Sequence, residues 1–133
     1  MAAGTILVVE DNPTNMKLFS LMLESVGYKV LWAESAELGL PMAEQEKPDL
    51  ILMDIGLPGM DGMEATRRLK QNPLTSAIPV IAVTAHSLGS DRDQAIRAGC
   101  SDFMAKPVRM KTFLDCIQAN MPGSPGNPPD AIR

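Results

Sequence analysis

The sequence predicts an α/β fold: a doubly wound parallel sheet of five strands with helices on both faces. Three observations carry this. Short runs rich in Val, Ile and Leu recur along the 133 residues, a helical pattern separates each from the next, and three of the four strongest runs are continuously apolar. Strands that are apolar at every position rather than at alternate ones are covered on both faces, as in a parallel sheet with crossover helices. The length, with 45% hydrophobic and 21% charged residues, fits one compact domain that buries a full core.

The strong strand candidates are residues 5–9, 29–32, 50–53 and 79–83, and a weaker fifth is 102–105. After the first, Asn12 supplies an N-cap, Pro13 suits the first helical position, and Leu18, Phe19, Met22, Leu23 and Val26 form one apolar face. Gly27 follows as a C′ residue. Further helices are expected at 36–46, 62–71, 91–98 and 111–121, with Gly99 as a second C′ glycine. Gly39 and Pro41 fall inside the second of these five helices, and proline there removes a donor and clashes with the preceding turn. That helix is expected to be bent, shortened or late-starting. The domain is expected to occupy residues 4–121, and the stretch 122–133, dense in Pro and Gly, to be a disordered tail with no output domain after it.

Twelve basic against sixteen acidic residues give a net charge of -4, which argues against direct DNA binding because no broad basic surface is available. No apolar run approaches the roughly 18 residues that span a bilayer, and the first residues lack the pattern of a signal peptide. A cytoplasmic protein without a membrane partner is expected. Cys100 and Cys116 have neither C-x-x-C spacing nor the number for a disulfide framework, and are read as reduced packing residues. The ten methionines are read as filler of core and surface.

In a doubly wound sheet, ligands bind beyond the carboxyl ends of the strands. Here the first strand runs into Glu10 and Asp11, the third into Asp54, the fourth into Thr84 and the fifth into Lys106. Solubility does not require charges beside buried strands, where carboxylates lose hydration and repel one another. A hard divalent cation such as Mg²⁺, which takes oxygen ligands and keeps several waters, would compensate them. A nucleophilic carboxylate, a metal, a lysine and a hydroxyl suit in-line phosphoryl transfer to give an aspartyl phosphate, and Asp54 is the best-placed nucleophile.

Residues 8–12 (VVEDN), 52–62 (LMDIGLPGMDG), 83–85 (VTA) and 106–107 (KP) together resemble the receiver domain of bacterial two-component response regulators. The likeness covers about residues 4–121, and four motifs in order, each at a strand end, make accident improbable. It implies the flavodoxin-like (βα)5 fold with strand order 2-1-3-4-5. It further implies that Asp54 accepts a phosphoryl group from a histidine kinase or histidine phosphotransferase. Mg²⁺ would be bound by Asp11, Asp54 and the Gly56 carbonyl, with Glu10 acting through water. Lys106 and Thr84 would contact the phosphoryl oxygens, and Phe103 would be the aromatic that changes rotamer in response. The Lys106–Pro107 bond is expected to be cis. The face of the fourth helix, fifth strand and fifth helix would meet a downstream protein. Gly56 and His86, two residues after the acceptor and the threonine, are expected to shape the lifetime of the phosphoryl group.

The resulting expectation is a stand-alone response regulator that signals by phosphorylation-dependent contact or phosphorelay. It would be no conventional enzyme, with at most self-phosphorylation and self-dephosphorylation. A receiver excised from a hybrid histidine kinase is the nearest alternative. A Mg²⁺-dependent phosphatase would need a second aspartate two residues after Asp54, where Gly56 stands. An FMN module would place a phosphate-cradling loop where Glu10 and Asp11 repel anions.

Overall fold

The computed structural model describes residues 4–57, 59–85 and 89–122. In chain order the elements are β1 (Gly4–Val9), α1 (Pro13–Glu24), β2 (Tyr28–Ala33), α2 (Ala36–Glu46), β3 (Leu50–Asp54), α3 (Gly62–Gln71), β4 (Val80–Thr84), α4 (Gly89–Ala98), β5 (Asp102–Ala105) and α5 (Met110–Asn120). The strands form one parallel sheet in the order β2-β1-β3-β4-β5. Fold class and strand order therefore agree with the sequence reading. Helix boundaries shift by one or two residues at α4 and α5, and Asp54 and Thr84 are the last residues of their strands rather than the first beyond them. Among the described residues no helix is long and apolar enough to cross a membrane. The expected tail from residue 123 onward, Pro58 and His86 lie outside the described residues.

The continuous apolar runs are explained by burial on both faces. Along β1, Ile6 and Val8 enter one core with Leu50, Leu52, Ile81 and Val83. Leu7 and Val9 enter the other, with Ile51, Met53, Val80 and Ala82. This is the two-residue alternation of strand side chains, with both faces paired against helices. The first core is filled by large groups from α1 and α5, including Phe19 and Phe113, whose rings stack with centroids 5.4 Å apart. The second carries Ala36, Ala43, Ala65 and Ala95 from α2, α3 and α4, and these small side chains bring the helices close to the sheet.

Capping residues start the helices as the sequence suggests. Asn12 Oδ1 accepts from the Thr14 and Asn15 amides at 2.8 and 3.2 Å, with Pro13 opening α1. Asp61 Oδ1 accepts from the Glu64 amide at 2.9 Å and starts α3. Gly99 adopts φ +111° after α4, and the Cys100 amide reaches back to the Ala95 carbonyl, a Schellman closure. Gly27 has φ +96° but stands two residues past the Ser25 cap rather than at C′.

Of the three outcomes expected for α2, two do not occur. The helix starts at Ala36 and continues to Glu46 with Pro41 inside it, so it is neither shortened nor late. Ser35 fixes the start by accepting from the Leu38 amide at 3.2 Å. Pro41 and Glu37, whose carbonyl a residue at position 41 would normally serve, are both exposed, so water can replace the missing bond. Gly39 is buried against β1, where a Cβ would stand 3.0 Å from Val9 Cγ2. The glycine is there for close helix–sheet packing, not as a breaker.

The cysteines are free: Cys100 is buried and Cys116 half-buried. Burial raises both thiol pKa values, and at Cys116, whose thiol donates to Asp102 Oδ2, the nearby Asp102 carboxylate pushes it further, to about 12.

Gly62 at the start of α3 marks the tightest approach to the phosphoacceptor candidate's backbone. A Cβ there would lie 2.5 Å from the Asp54 carbonyl oxygen and 2.8 Å from Ile55 Cα. Gly62→Ala is therefore expected to cost about 2 kcal/mol of unfolding free energy in a urea titration, through overpacking against backbone that cannot rotate away. An unchanged midpoint would mean that α3 slides along β3 freely.

Candidate functional site

The parallel register brings the functional candidates to one edge. Val9 pairs with Met53, Asp54 with Val83, and Thr84 with Ala105, so Glu10 and Asp54 stand side by side, with Thr84 one residue further along β4 and Lys106 just past the end of β5. The Lys106 amide donates to the Thr84 carbonyl at 2.7 Å, which extends the ladder to the lysine. The Lys106–Pro107 peptide is cis, as expected.

At the centre is a three-membered ion cluster. Lys106 Nζ lies 3.0 Å from Glu10 Oε1 and 3.2 Å from Asp54 Oδ2. The Glu10 side chain is 1% exposed, that of Asp54 8% and that of Lys106 19%. Each carboxylate has a second donor: the Asn12 amide reaches Glu10 Oε2 at 3.1 Å, and the Gly56 amide reaches Asp54 Oδ1 at 2.9 Å. Among the described residues no buried side-chain nitrogen or oxygen is left without a partner.

Asp11 completes the constellation from an exposed position, and one carboxylate oxygen from each of Glu10, Asp11 and Asp54 falls within 4.8 Å of the others. Three carboxylates against one ammonium leave a formal charge of −2, which a single divalent cation would cancel. The donors are all hard oxygens, one solvent-facing and two desolvated, a set that fits Mg²⁺ with retained waters. Beside Asp54 lies a cavity of about 260 Å³ lined by Gly56, Asp61, Met63, Arg67, Thr84 and Gln94 along with Ile55.

The electrostatics follow from burial. Desolvation raises the Glu10 carboxyl above its ordinary range, helped by the Asp54 charge and partly offset by Lys106 and the Asn12 amide. Burial alone would lower the Lys106 ammonium, but hydrogen bonds and charge from Glu10 and Asp54 outweigh it and raise its value. Lys106 thus stays charged throughout the physiological range.

The structure brings together five of the expected residues, Glu10, Asp11, Asp54, Thr84 and Lys106, with Gly56 bound through its amide. Phe103 is set apart: it is half-buried and packs against the core on the α2, α3 and α4 side. His86 lies outside the described residues. Sequence reasoning missed Trp32, whose indole Nε1 donates to the Glu10 carbonyl at 2.8 Å, and Glu37, whose Oε2 accepts from the Met60 amide at 3.2 Å. Neither contact has a local signature, because each spans more than twenty residues.

Known proteins resemble this chain in sequence and fold. A family model described as the response regulator receiver domain matches residues 6–118. The chain belongs to that family. It is 46% identical over 118 residues to the protein PilH of Pseudomonas aeruginosa, covering 89% of this chain and 98% of PilH. It is 39% identical over 115 residues to the polar-differentiation response regulator DivK of Brucella ovis, covering 86% of this chain and 94% of DivK. The receiver domain of the sensor histidine kinase PA1611 from Pseudomonas aeruginosa superposes with a TM-score of 0.83 at 37% identity, covering 90% of this chain and 98% of that one. That crystal structure has a magnesium ion coordinated in its active-site cleft. Receivers are switches of two-component signalling rather than conventional enzymes, and this chain is one of them.

Removing the ammonium exposes the cost of the carboxylates. Lys106→Met is expected to destabilise the metal-free protein by about 3 kcal/mol at pH 7, since breaking a buried pair strands the remaining charges. A carboxyl whose folded pKa is raised contributes stability below its unfolded pKa and loses it as pH rises through the folded value. The Lys106→Met deficit should therefore shrink between pH 7 and a mildly acidic pH, because the Glu10 carboxyl, raised by burial, takes up its proton early. Lys106, raised in the opposite charge sense, contributes stability that is lost only as pH rises through its own elevated value. Denaturant titrations at the two pH values check this, and a pH-independent deficit would contradict it.

Proposed function

We propose that this receiver is phosphorylated on Asp54, with Mg²⁺ bound by Asp11, Asp54 and the Gly56 carbonyl and assisted by Glu10. The observation that carries the reading is the Lys106 ammonium clasped between Asp54 and Glu10 beside an exposed third carboxylate. The donor is a phosphohistidine on a histidine kinase or histidine phosphotransferase. An Asp54 oxygen attacks the phosphorus, the P–N bond breaks, and the electron pair leaves on the imidazole. The metal, when bound, neutralises phosphoryl charge during this transfer.

The chain's own groups do the rest. Lys106 moves its ammonium from carboxylate pairing toward the phosphoryl oxygens, and the Thr84 hydroxyl donates to another. Phosphorylation replaces a carboxylate with a group of about two negative charges and more acceptor oxygens. That change draws Thr84 and its following loop inward, and Phe103 repacks beneath. The face of α4, β5 and α5 then presents the altered surface to a downstream protein. Hydrolysis of the acyl phosphate by water restores the carboxylate and releases inorganic phosphate.

The relatives support two settings for such a domain: PilH and DivK are hardly longer than the matched region, whereas the PA1611 receiver is part of a sensor kinase. A stand-alone cytoplasmic regulator is the reading adopted, with no direct DNA or membrane contact, in keeping with the net charge of -4. The domain is taken as residues 4–121 and the remainder as a tail. Gly56 leaves the position over the acyl phosphate open, since a Cβ there would touch only Asp54 Oδ1 at an ordinary 3.6 Å. On this reading Gly56, and by the resemblance His86, set water access and the lifetime.

Intact mass after incubation with Mg²⁺ and acetyl phosphate tests both parts. Wild type should gain one phosphoryl group that Asp54→Ala lacks and that chelation of Mg²⁺ prevents. A persistent adduct in Asp54→Ala would overturn the assignment. Followed over time, the adduct should decay at altered rates in Gly56→Asn and His86→Ala, and identical decay would remove those two residues from the account.

A further inference from the structure

We infer that the segment from Trp32 to Glu37, joining β2 to α2, is a bracket that sets the spacing of the two loops carrying the metal ligands, so that Trp32 and Glu37 are positioning residues for the divalent cation. The inference rests on the Mg²⁺ reading given above and deepens it.

The two loops come from different strands. The loop after β1 carries Glu10 and Asp11, and the loop after β3 carries Gly56 and continues to Met60. A cation held by ligands from both needs their separation fixed to a few tenths of an ångström. The Lys106 bridge ties Glu10 to Asp54, but it does so with a flexible stem and leaves the backbone of each loop to be held by other groups.

The bracket holds both. On its first side, Trp32 Nε1 donates to the Glu10 carbonyl at 2.8 Å, and the Glu10 amide donates to the Ala33 carbonyl at 3.0 Å. Both backbone polar groups of Glu10 are thus fixed by two consecutive residues of β2, and Asp11 follows directly. On its second side, Glu37 Oε2 accepts from the Met60 amide at 3.2 Å. Gly59, with φ +75°, lies flush against the same carboxylate: a Cβ there would be 2.8 Å from Glu37 Oε2. Four residues separate Trp32 from Glu37 along the chain, and Ser35, which caps α2, fixes the turn between them.

A tryptophan 40% exposed and an exposed glutamate contribute little as core fillers. Their contacts go to backbone of the metal loops, and this separates a positioning role from general stability. Because the spacing needs both ends of the bracket, releasing either end removes most of its effect, and the two losses should not multiply.

The test is Mg²⁺ affinity by titration calorimetry on the full chain, with hydrogen exchange on the metal-free protein as the second readout. Trp32→Phe keeps the ring and removes the donor, and Glu37→Ala removes the acceptor. Each is expected to weaken Mg²⁺ binding about fivefold, the worth of one typical hydrogen bond, and the double variant little more than either single one. Glu37→Gln, which retains an acceptor oxygen, should recover most of the loss. In the metal-free protein, Glu37→Ala should speed exchange at the Met60 amide. A core variant remote from the site, Phe113→Leu, should lower unfolding free energy and leave the Mg²⁺ affinity of the folded protein unchanged. Unchanged affinity in both Trp32→Phe and Glu37→Ala would overturn the bracket while leaving the parent reading intact. Absence of Mg²⁺ binding by the wild type would overturn the parent reading and the bracket with it.

Discussion

The interaction on which the site depends is the pairing of one lysine ammonium with two carboxylates that have almost no contact with solvent. Glu10 and Asp54 are driven out of water by the same burial that makes β1 and β3 good central strands. Lys106 pairs with both, but a lone ammonium leaves the cluster formally two charges short of neutrality once Asp11 is included. A site in that condition fits the dication proposed for it and, with the dication, the proposed phosphoryl group. The chemistry is a consequence of a charge deficit that the fold cannot relieve by itself.

The rest of the scaffold maintains that condition. Two cores of different texture, large residues toward α1 and α5 and alanines toward α2, α3 and α4, clamp the sheet so that strand ends stay level. Gly39 and Gly62 allow helices to lie against β1 and β3 where a side chain would push them off. The register then converts strand boundaries into site geometry: a residue one position past β1 meets the last residue of β3. The same alignment sets Asp54 and Thr84 on adjacent strands, with β5 paired to β4 beyond them.

Much of this was legible in the sequence because the relevant signals are local. Asn12–Pro13, the apolar runs and the glycines after α1 and α4 each report on a neighbourhood of a few residues, and the strand ends locate the charged groups without any knowledge of register. The 2-1-3-4-5 order and the separate roles of the acidic residues came from resemblance, since spacing alone does not order parallel strands. Pro41 misled because helix propensity ignores exposure: the broken hydrogen bond costs little where water can replace it. Trp32 and Glu37 were invisible because their partners lie more than twenty residues away, and only the paired strands bring them together. Phe103 is a strand aromatic by pattern, and nothing local distinguishes a packing ring from one that moves.

The charge deficit is tested most directly by measuring the free energy of unfolding as Mg²⁺ is titrated, in the wild type and in Asp11→Asn. Asp11 is exposed, so its substitution leaves the core untouched while removing one of the three negative charges. The wild type should be stabilised progressively, by about 1.4 kcal/mol when free Mg²⁺ exceeds its dissociation constant tenfold, and Asp11→Asn should need far more Mg²⁺ for the same gain. A wild-type stability that is indifferent to Mg²⁺ would contradict the account, because the buried carboxylates would then be fully satisfied by Lys106 alone.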